Sequence, residues 1–141
     1  MGSKEARILI IDDDKEFAQG LAEHMTESGY SISVANDGRE GLDKFRKGDF
    51  HVVLTDLQMP VMDGMELLHE IKRQDNRSVV VVITGFGTIE AAVRATKEGA
   101  YDFIAKPIKF DQLFFRGLTL AVLVSIPLWL ILGIILASKI F

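Results

Sequence analysis

The chain contains no cysteine and has no basic stripe. Without cysteine it can form neither a disulfide framework nor a thiolate metal site, so the redox compartment is left open. Residues 1–116 carry 15 Lys and Arg against 20 Asp and Glu, a balance of −5. Because this acidic balance repels a polyanion, we expect no direct nucleic-acid binding. The 141 residues suffice for one domain with a core and an appendage.

Charge is also missing near the C-terminus, where residues 117–137 form a run of 21 uncharged residues. A helix of about 20 apolar residues crosses the hydrocarbon core of a bilayer. We therefore divide the chain into a domain over 1–114 and a hydrophobic tail over 115–141, with a single transmembrane helix at about 117–137. Two other interpretations stay open: an extension that packs on a partner or on a second copy of the chain, and a foreign end on a chain truncated before its output domain.

Before the tail, short apolar runs alternate with helical patterns. Strand-like runs cover 6–11, 31–35, 51–55, 79–84 and 101–105; helical spacing covers 15–28, 37–48, 64–74 and 88–99, with Asp14 as the first N-cap and a fifth helix from about Asp111. Strands and helices that alternate at this spacing predict right-handed βαβ units. The expected fold class is therefore α/β, a doubly wound five-stranded parallel sheet covered by helices on both faces.

Polar side chains follow four of the predicted strands. Asp12 and Asp13 come after the first strand, Asp56 after the third, Thr84 ends the fourth, and Lys106 follows the fifth. Each of these alone is more often structural, as a strand-end aspartate, a β-forming threonine or a Lys-Pro turn. Because the carboxyl ends of parallel strands meet at one edge, where open α/β sheets bind ligands, their joint placement predicts a site.

The residue types in this predicted cluster indicate phosphoryl transfer. Neighbouring carboxylates raise one another's pKa unless a cation holds them. Oxygen ligands without His or Cys suit Mg²⁺, which keeps several waters and bridges to phosphoryl groups. An Asp carboxylate can act as the nucleophile and form an aspartyl-phosphate. Lys106 and Thr84 supply an ammonium and a hydroxyl for the phosphoryl oxygens.

Three segments, in this order and spacing, resemble the receiver domain of bacterial two-component response regulators. They are ILIIDDD (8–14), VVLTDLQMPVMDG (52–64) and VVVVITGFGTIEAAVRATKEGAYDFIAKPI (79–108). The third is most similar to receivers of regulators of the nitrogen-regulator class. The resemblance covers roughly residues 5–113, does not include the tail, and implies the flavodoxin-like strand order 2-1-3-4-5.

The resemblance assigns a role to each residue of the cluster. It implies that Asp56 is the phosphoacceptor, and that Asp13, Asp56 and the backbone carbonyl of Gln58 ligate Mg²⁺ while Asp12 acts mainly through coordinated water. Lys106 would pair with the phosphoryl group. Thr84 would move to a phosphoryl oxygen, with Phe103 as the aromatic switch that turns inward. Three further residues are expected to shape the loops, the last through a cis peptide bond: Pro60, Gly64 and Pro107.

The implied function is a signalling switch and not an enzyme with a separate substrate. A sensor histidine kinase would donate the phosphoryl group to Asp56, and the receiver would catalyse its own modification. The added charge would bias the face built from the fourth helix, fifth strand and fifth helix. Kinase and Mg²⁺ chemistry place the domain in the cytoplasm, where the tail would tether it to the inner face of the membrane. A homodimer stays open.

Two alternative functions are weighed against this one. A Mg²⁺-dependent phosphohydrolase that uses an aspartyl-phosphate needs a second Asp two residues after the nucleophile as acid and base, and Gln58 stands there. An unphosphorylated protein-interaction module would not need the complete set of acids, Thr84 and Lys106.

The tail and the predicted fifth helix compete for residues 117–123. If these residues complete the fifth helix, the remaining 124–137 are too few to cross a bilayer unaided. If they enter a membrane, the receiver keeps under two turns of that helix, and one sheet face is partly uncovered.

Overall fold

The predicted alternation of strands and helices is observed in the computed structural model, which describes residues 6–85 and 87–108. The elements are β1 (Arg7–Ile11), α1 (Lys15–Glu27), β2 (Ser31–Ala35), α2 (Gly38–Lys47), β3 (Val52–Thr55), α3 (Gly64–Gln74), β4 (Val79–Thr84), α4 (Ile89–Lys97) and β5 (Asp102–Ala105). The predicted fifth helix lies outside these residues. So does the predicted membrane helix at 117–137, and no helix within the described ranges is long and apolar enough to span a bilayer.

The five strands form one parallel sheet in the order β2-β1-β3-β4-β5, as predicted. In the register of the sheet, Ile11 lies opposite Thr55, and Thr55 lies opposite Val82. At the other side of β4, Thr84 lies opposite Ala105. The strands therefore end side by side, and the residues that follow them start from the same edge.

The core has two layers because successive strand residues point to opposite faces of the sheet. One layer packs the sheet against α1 and contains Ile8, Ile10, Leu54, Val81, Leu21 and Met25. The other packs it against α2, α3 and α4 and contains Leu9, Ile11, Val53, Val82, Leu42, Leu67 and Ala95. All six residues of β4 are buried, as the β-branched run from 79 to 84 predicts for an interior strand.

Every helix in the described ranges begins at a side chain that accepts a hydrogen bond from its first turn. Such a cap satisfies a backbone N–H that has no partner within the helix, and it stabilises the helix by about 1 kcal/mol. The predicted cap Asp14 is confirmed, with its Oδ1 accepting from the Phe17 N–H at 3.0 Å. The other capping residues are Asp37, Asp63 and Thr88.

The loop between β3 and α3 turns back onto the end of β3. The Gly64 N–H donates to the Leu57 carbonyl at 2.8 Å. A Cβ on Gly64 would lie 2.0 Å from the carbonyl oxygen of Asp56, so no side chain fits there without moving Asp56. The Pro60 carbonyl accepts from the Met62 N–H at 2.9 Å and closes the outer turn of the loop.

Val61, at the tip of this loop, has a backbone φ of 73°. That conformation is unfavourable for a residue with a Cβ, and most of all for a β-branched one. The side chain is 78 % exposed, so little burial compensates for the strain.

We expect Val61→Asn to raise the free energy of unfolding by about 1 kcal/mol, because asparagine tolerates positive φ. Urea unfolding of the full chain in detergent, followed by far-UV circular dichroism, measures the change. Val61→Thr is the matched control: it is polar but still β-branched, so it should gain little. Equal stability of the Asn and Thr variants would show that the backbone at Val61 is not strained.

Candidate functional site

Backbone hydrogen bonds extend the sheet ladder by one residue and place the polar residues at its edge. The Asp12 N–H donates to the Ala35 carbonyl at 3.1 Å, and the Asp56 N–H donates to the Ile11 carbonyl at 3.0 Å. On the far side of β4, the Lys106 N–H donates to the Thr84 carbonyl at 2.9 Å. The residues that follow β1, β3 and β5 are thereby held at one edge.

Three of the predicted site residues form an acidic cluster at this edge. Asp12, Asp13 and Asp56 each offer a carboxylate oxygen, and these oxygens lie within 4.8 Å of one another. Asp12 and Asp56 are buried, whereas Asp13 is exposed. An all-oxygen set with one exposed member fits Mg²⁺, which prefers oxygen ligands and keeps several of its waters.

Lys106 is the cation that the structure brings to the cluster. Its Nζ donates to Asp12 Oδ2 at 2.7 Å and to Asp56 Oδ2 at 3.4 Å. The Lys106 side chain is only 18 % exposed, so both contacts are partly shielded from water. The ammonium thus lies between the two buried carboxylates, closer to Asp12.

Burial and the contacts of Lys106 together shift the pKa values of Asp12 and Lys106. Desolvation raises the pKa of Asp12 above its ordinary value of 3.8, and the Asp56 charge adds to the rise, while hydrogen bonds from Lys106 and from the Asp14 N–H oppose it. Burial alone would lower the pKa of Lys106, but its hydrogen bond to Asp12 and the charges of Asp12 and Asp56 outweigh burial and raise that pKa above 10.5. Burial of the Asp12 carboxylate, with a smaller contribution from the Asp56 charge, therefore outweighs the stabilisation that Lys106 gives to the ionised form of Asp12.

The Asp56 carboxylate is oriented by its own backbone neighbours. Oδ1 accepts from the Leu57 N–H at 2.7 Å and from the Gln58 N–H at 3.3 Å. Oδ2 faces the Lys106 ammonium. The carboxylate is therefore held with one oxygen bound to the main chain and the other toward the cation.

The remaining predicted residues lie around this centre. Thr84 is buried at the end of β4, and Gln58 is exposed directly after Asp56. Phe103 is half-buried and packs on the core layer beneath α4; a Cβ on Gly87 would lie 3.2 Å from its ring. The Lys106-Pro107 peptide bond is cis, as expected.

Two cavities differ in their relation to the cluster. A cavity of about 530 Å³ opens beside Asp13 and is lined by Gln58, Met59, Pro60, Asp63 and Met65. A larger cavity of about 780 Å³ lies at the opposite edge of the sheet. Its cations already have partners, since Lys72 Nζ donates to the Asn76 and Ser78 carbonyls and Arg77 pairs with Asp75. Of these two cavities, the smaller one adjoins the acidic cluster.

One contact at the site has no counterpart in the sequence pattern. Helical spacing puts Phe17 on the same face of α1 as Leu21 and Met25, and in the structure this face packs on the sheet. The structure also places the Phe17 ring centroid 4.1 Å from Lys106 Nζ. No local signal could have shown this, because the two residues come from opposite ends of the domain.

A five-stranded parallel sheet whose carboxyl edge holds three aspartates and a lysine defines a phosphoacceptor module of the receiver class. The chain belongs to the family of response regulator receiver domains, whose family profile matches residues 8–116. This confirms the resemblance read from the three segments.

Curated relatives and solved structures agree with this assignment. The chain is 37 % identical over 113 residues to the transcriptional regulatory protein ZraR of Klebsiella oxytoca, covering 80 % of this chain and 26 % of that protein. It is 39 % identical over 110 residues to the C4-dicarboxylate transport transcriptional regulatory protein DctD of Pseudomonas aeruginosa, covering 77 % and 24 %. The chain thus spans about a quarter of the length of these relatives, which are regulators of the nitrogen-regulator class.

Among solved structures, a CheY-like response regulator receiver domain protein from Methanospirillum hungatei superposes with a TM-score of 0.81 at 27 % identity, over 86 % of this chain and 98 % of that one. A response regulator receiver domain protein from Clostridium thermocellum gives a TM-score of 0.74 at 32 % identity, over 85 % and 93 %. The predicted flavodoxin-like fold is confirmed.

We expect Asp12→Asn to raise the Tm of the chain in EDTA at pH 8 by roughly 2–4 °C, the equivalent of about 1 kcal/mol. The substitution removes a buried charge from the cluster and leaves Asp56 as a partner of Lys106. Because the pKa of Asp12 is raised in the folded chain, this carboxyl holds more protons in the folded state than in the unfolded state. Its contribution to wild-type stability therefore falls as the pH rises above 3.8. The gap between the two proteins should widen over that range and level off once Asp12 is ionised.

Differential scanning fluorimetry at several pH values measures this gap, with the exposed Asp49→Asn as the control for an ordinary loss of charge. Added Mg²⁺ should stabilise the wild type more than the Asp12→Asn variant. An Asp12→Asn variant that is less stable than wild type at pH 8 in EDTA would contradict the argument that the buried Asp12 charge destabilises the folded chain.

Proposed function

We propose that this receiver takes a phosphoryl group from a sensor histidine kinase onto the Asp56 carboxylate. Mg²⁺ would be held by Asp13, Asp56 and the backbone carbonyl of Gln58, and by Asp12 mainly through coordinated water. The observation that carries the proposal is the position of Asp56, whose Oδ2 lies 3.4 Å from Lys106 Nζ within the cluster of three carboxylates. A nucleophile, a carboxylate metal site and a cation for the phosphoryl oxygens are thus adjacent.

The chain's own groups orient the nucleophile and supply one of the positive charges for the transfer. The Leu57 and Gln58 N–H groups hold Asp56 Oδ1, which leaves Oδ2 to attack phosphorus as the bond from phosphorus to the donor's nitrogen breaks. Lys106 pairs with a phosphoryl oxygen as the negative charge arrives. A bound Mg²⁺ supplies the further positive charge that three carboxylates and a phosphoryl group require.

The product is a modified receiver, so we infer a switch that catalyses its own phosphorylation. A phosphohydrolase acting on separate substrates is disfavoured, because Gln58, an amide that cannot carry a proton between acid and base forms, stands two residues after Asp56. An unphosphorylated interaction module would not explain why a cluster of mutually repelling carboxylates is kept in the fold.

We propose that phosphorylation acts on α4 and β5 through Thr84 and Phe103, the predicted switch pair. In support of this, Ala95 is the one fully buried residue of α4, and Ile89 is 85 % exposed. A helix with so little buried surface costs little to shift. Movement of Thr84 toward a phosphoryl oxygen would leave space for the half-buried Phe103 ring.

For the tail, we propose a single membrane helix at about 117–137 that tethers a cytoplasmic receiver. The support is the run of 21 uncharged residues, flanked by Arg116 and Lys139. The matched family region ends at residue 116, directly before this run. The curated relatives are named as transcriptional regulators. The match covers only about a quarter of their length, so it does not support transcriptional regulation by this chain.

Acetyl phosphate with Mg²⁺ should phosphorylate the full chain once, at Asp56. Intact-mass analysis should show the adduct on the wild type and on the Asp49→Asn control, which lacks an exposed carboxylate far from the cluster. Asp56→Ala should show none, and EDTA should suppress the adduct on the wild type. An unmodified wild type, or an equal adduct on Asp56→Ala, would reject the proposal.

The full chain should sediment with membranes and resist extraction at alkaline pH in carbonate. The matched control is a variant in which Leu123→Arg and Leu130→Arg place two charges in the apolar run, and it should be released by the same treatment. Recovery of the wild-type chain as a soluble monomer would remove the anchor from the proposal and leave the receiver function untouched.

A further inference from the structure

Phe17 contacts the ammonium that the phosphoryl chemistry uses. It lies in the first turn of α1, half-buried against the core layer beneath that helix. Its ring centroid is 4.1 Å from Lys106 Nζ, within the range of a cation–π interaction. The negative face of an aromatic ring attracts a cation and also keeps water from that side of it.

A closed set of contacts holds Phe17 in this position. Asp12 Oδ1 accepts from the Asp14 N–H at 2.9 Å, and Asp14 Oδ1 accepts from the Phe17 N–H at 3.0 Å. The Phe17 ring contacts the Lys106 ammonium, and Lys106 Nζ donates to Asp12 Oδ2 at 2.7 Å, which closes the set. Each contact therefore stabilises the next one. The Asp14 cap fixes where α1 begins, and this fixes the position of the Phe17 ring.

Lys106 is thus surrounded by two carboxylates and one aromatic ring. The carboxylates are unequal partners, at 2.7 Å for Asp12 and 3.4 Å for Asp56. To serve the transfer, the ammonium has to shift toward Asp56, so that one of its N–H groups donates to a phosphoryl oxygen there. A ring face permits such a shift, because its attraction does not depend on one bond direction as a hydrogen bond does.

We propose that Phe17 is a positioning residue for phosphoryl transfer: its ring keeps the Lys106 ammonium above the acidic cluster while the ammonium moves from Asp12 to the phosphoryl oxygen. The inference rests on the proposed function of Asp56 and adds a residue to it. An aliphatic side chain of similar size would fill the space but would not attract the cation. Lys106 would then remain on Asp12 or turn toward solvent.

The test compares Phe17→Leu, which removes the ring, with Phe17→Tyr, which keeps it. The rate of Asp56 phosphorylation is measured on the full chain in detergent as a function of acetyl phosphate concentration at saturating Mg²⁺. Phe17→Leu should lower the maximal rate roughly fivefold to tenfold and leave the half-saturating donor concentration within about twofold. Phe17→Tyr should stay within about threefold of wild type.

Two further variants separate positioning from packing. Phe45→Leu makes the same change at a half-buried phenylalanine in the other core layer and should leave the rate unchanged. In a Lys106→Ala background, Phe17→Leu should cause no further loss, because the ring acts through the ammonium. A loss that persists in that background, or Phe17→Tyr and Phe17→Leu being equally slow, would overturn the inference.

A spectroscopic measurement keeps this inference distinct from the function on which it rests. In carbon–proton correlation spectra of labelled lysines, the ring should shift the Lys106 ε-methylene signal upfield in the wild type and in Phe17→Tyr, but not in Phe17→Leu. A wild type that acetyl phosphate cannot modify would overturn the proposed function and this inference together. A normal rate in Phe17→Leu, or an unshifted Lys106 signal in the wild type, would overturn this inference alone.

Discussion

The site depends on an imbalance of charge at the carboxyl edge of the sheet. Three carboxylates lie with oxygens within 4.8 Å of one another, and the Lys106 ammonium contacts the two that are buried, Asp12 and Asp56. Burial raises the pKa of Asp12 and makes its ionised form costly, so the edge is under electrostatic strain that a divalent cation relieves. The fold tolerates this strain because the same arrangement lets a carboxylate accept a phosphoryl group and its added charge.

The sheet makes this arrangement possible without long side chains. Ladder hydrogen bonds continue past the strand ends to Asp12, Asp56 and Lys106, so their backbones keep the spacing of the strands. Gly64 packs its backbone onto Asp56, and the Leu57 N–H holds one oxygen of the Asp56 carboxylate. The Asp56 carboxylate, the proposed nucleophile, is therefore oriented by main-chain atoms, which substitutions elsewhere disturb little.

Stability is distributed unevenly across the domain, in a way that suits a switch. The strands β1, β3 and β4 are almost entirely buried, whereas α4 and β5 retain exposed residues such as Ile89 and Asp102. In the proposed switch, phosphorylation at the rigid centre would act on elements that cost less free energy to move. Phe103 lies between the two regions, on β5 and against the core layer beneath α4.

The sequence alone determined the strands and helices of β1 to β5 and α1 to α4, together with the helix cap at Asp14. It also determined that Asp12, Asp56 and Lys106 stand at strand ends. Burial periodicity, capping and turns are local properties, so a sequence pattern can show them. Within residues 6–85 and 87–108, the sequence interpretation differs from the structure only at element ends, for example by starting β1 at residue 6 and not at Arg7. Tertiary structure alone decided that Lys106 lies closer to Asp12, 94 positions away, than to Asp56, and that the Phe17 ring covers its ammonium. Such contacts depend on how whole strands and helices pack against one another. A local sequence pattern therefore cannot predict the distance between atoms that are far apart in the chain.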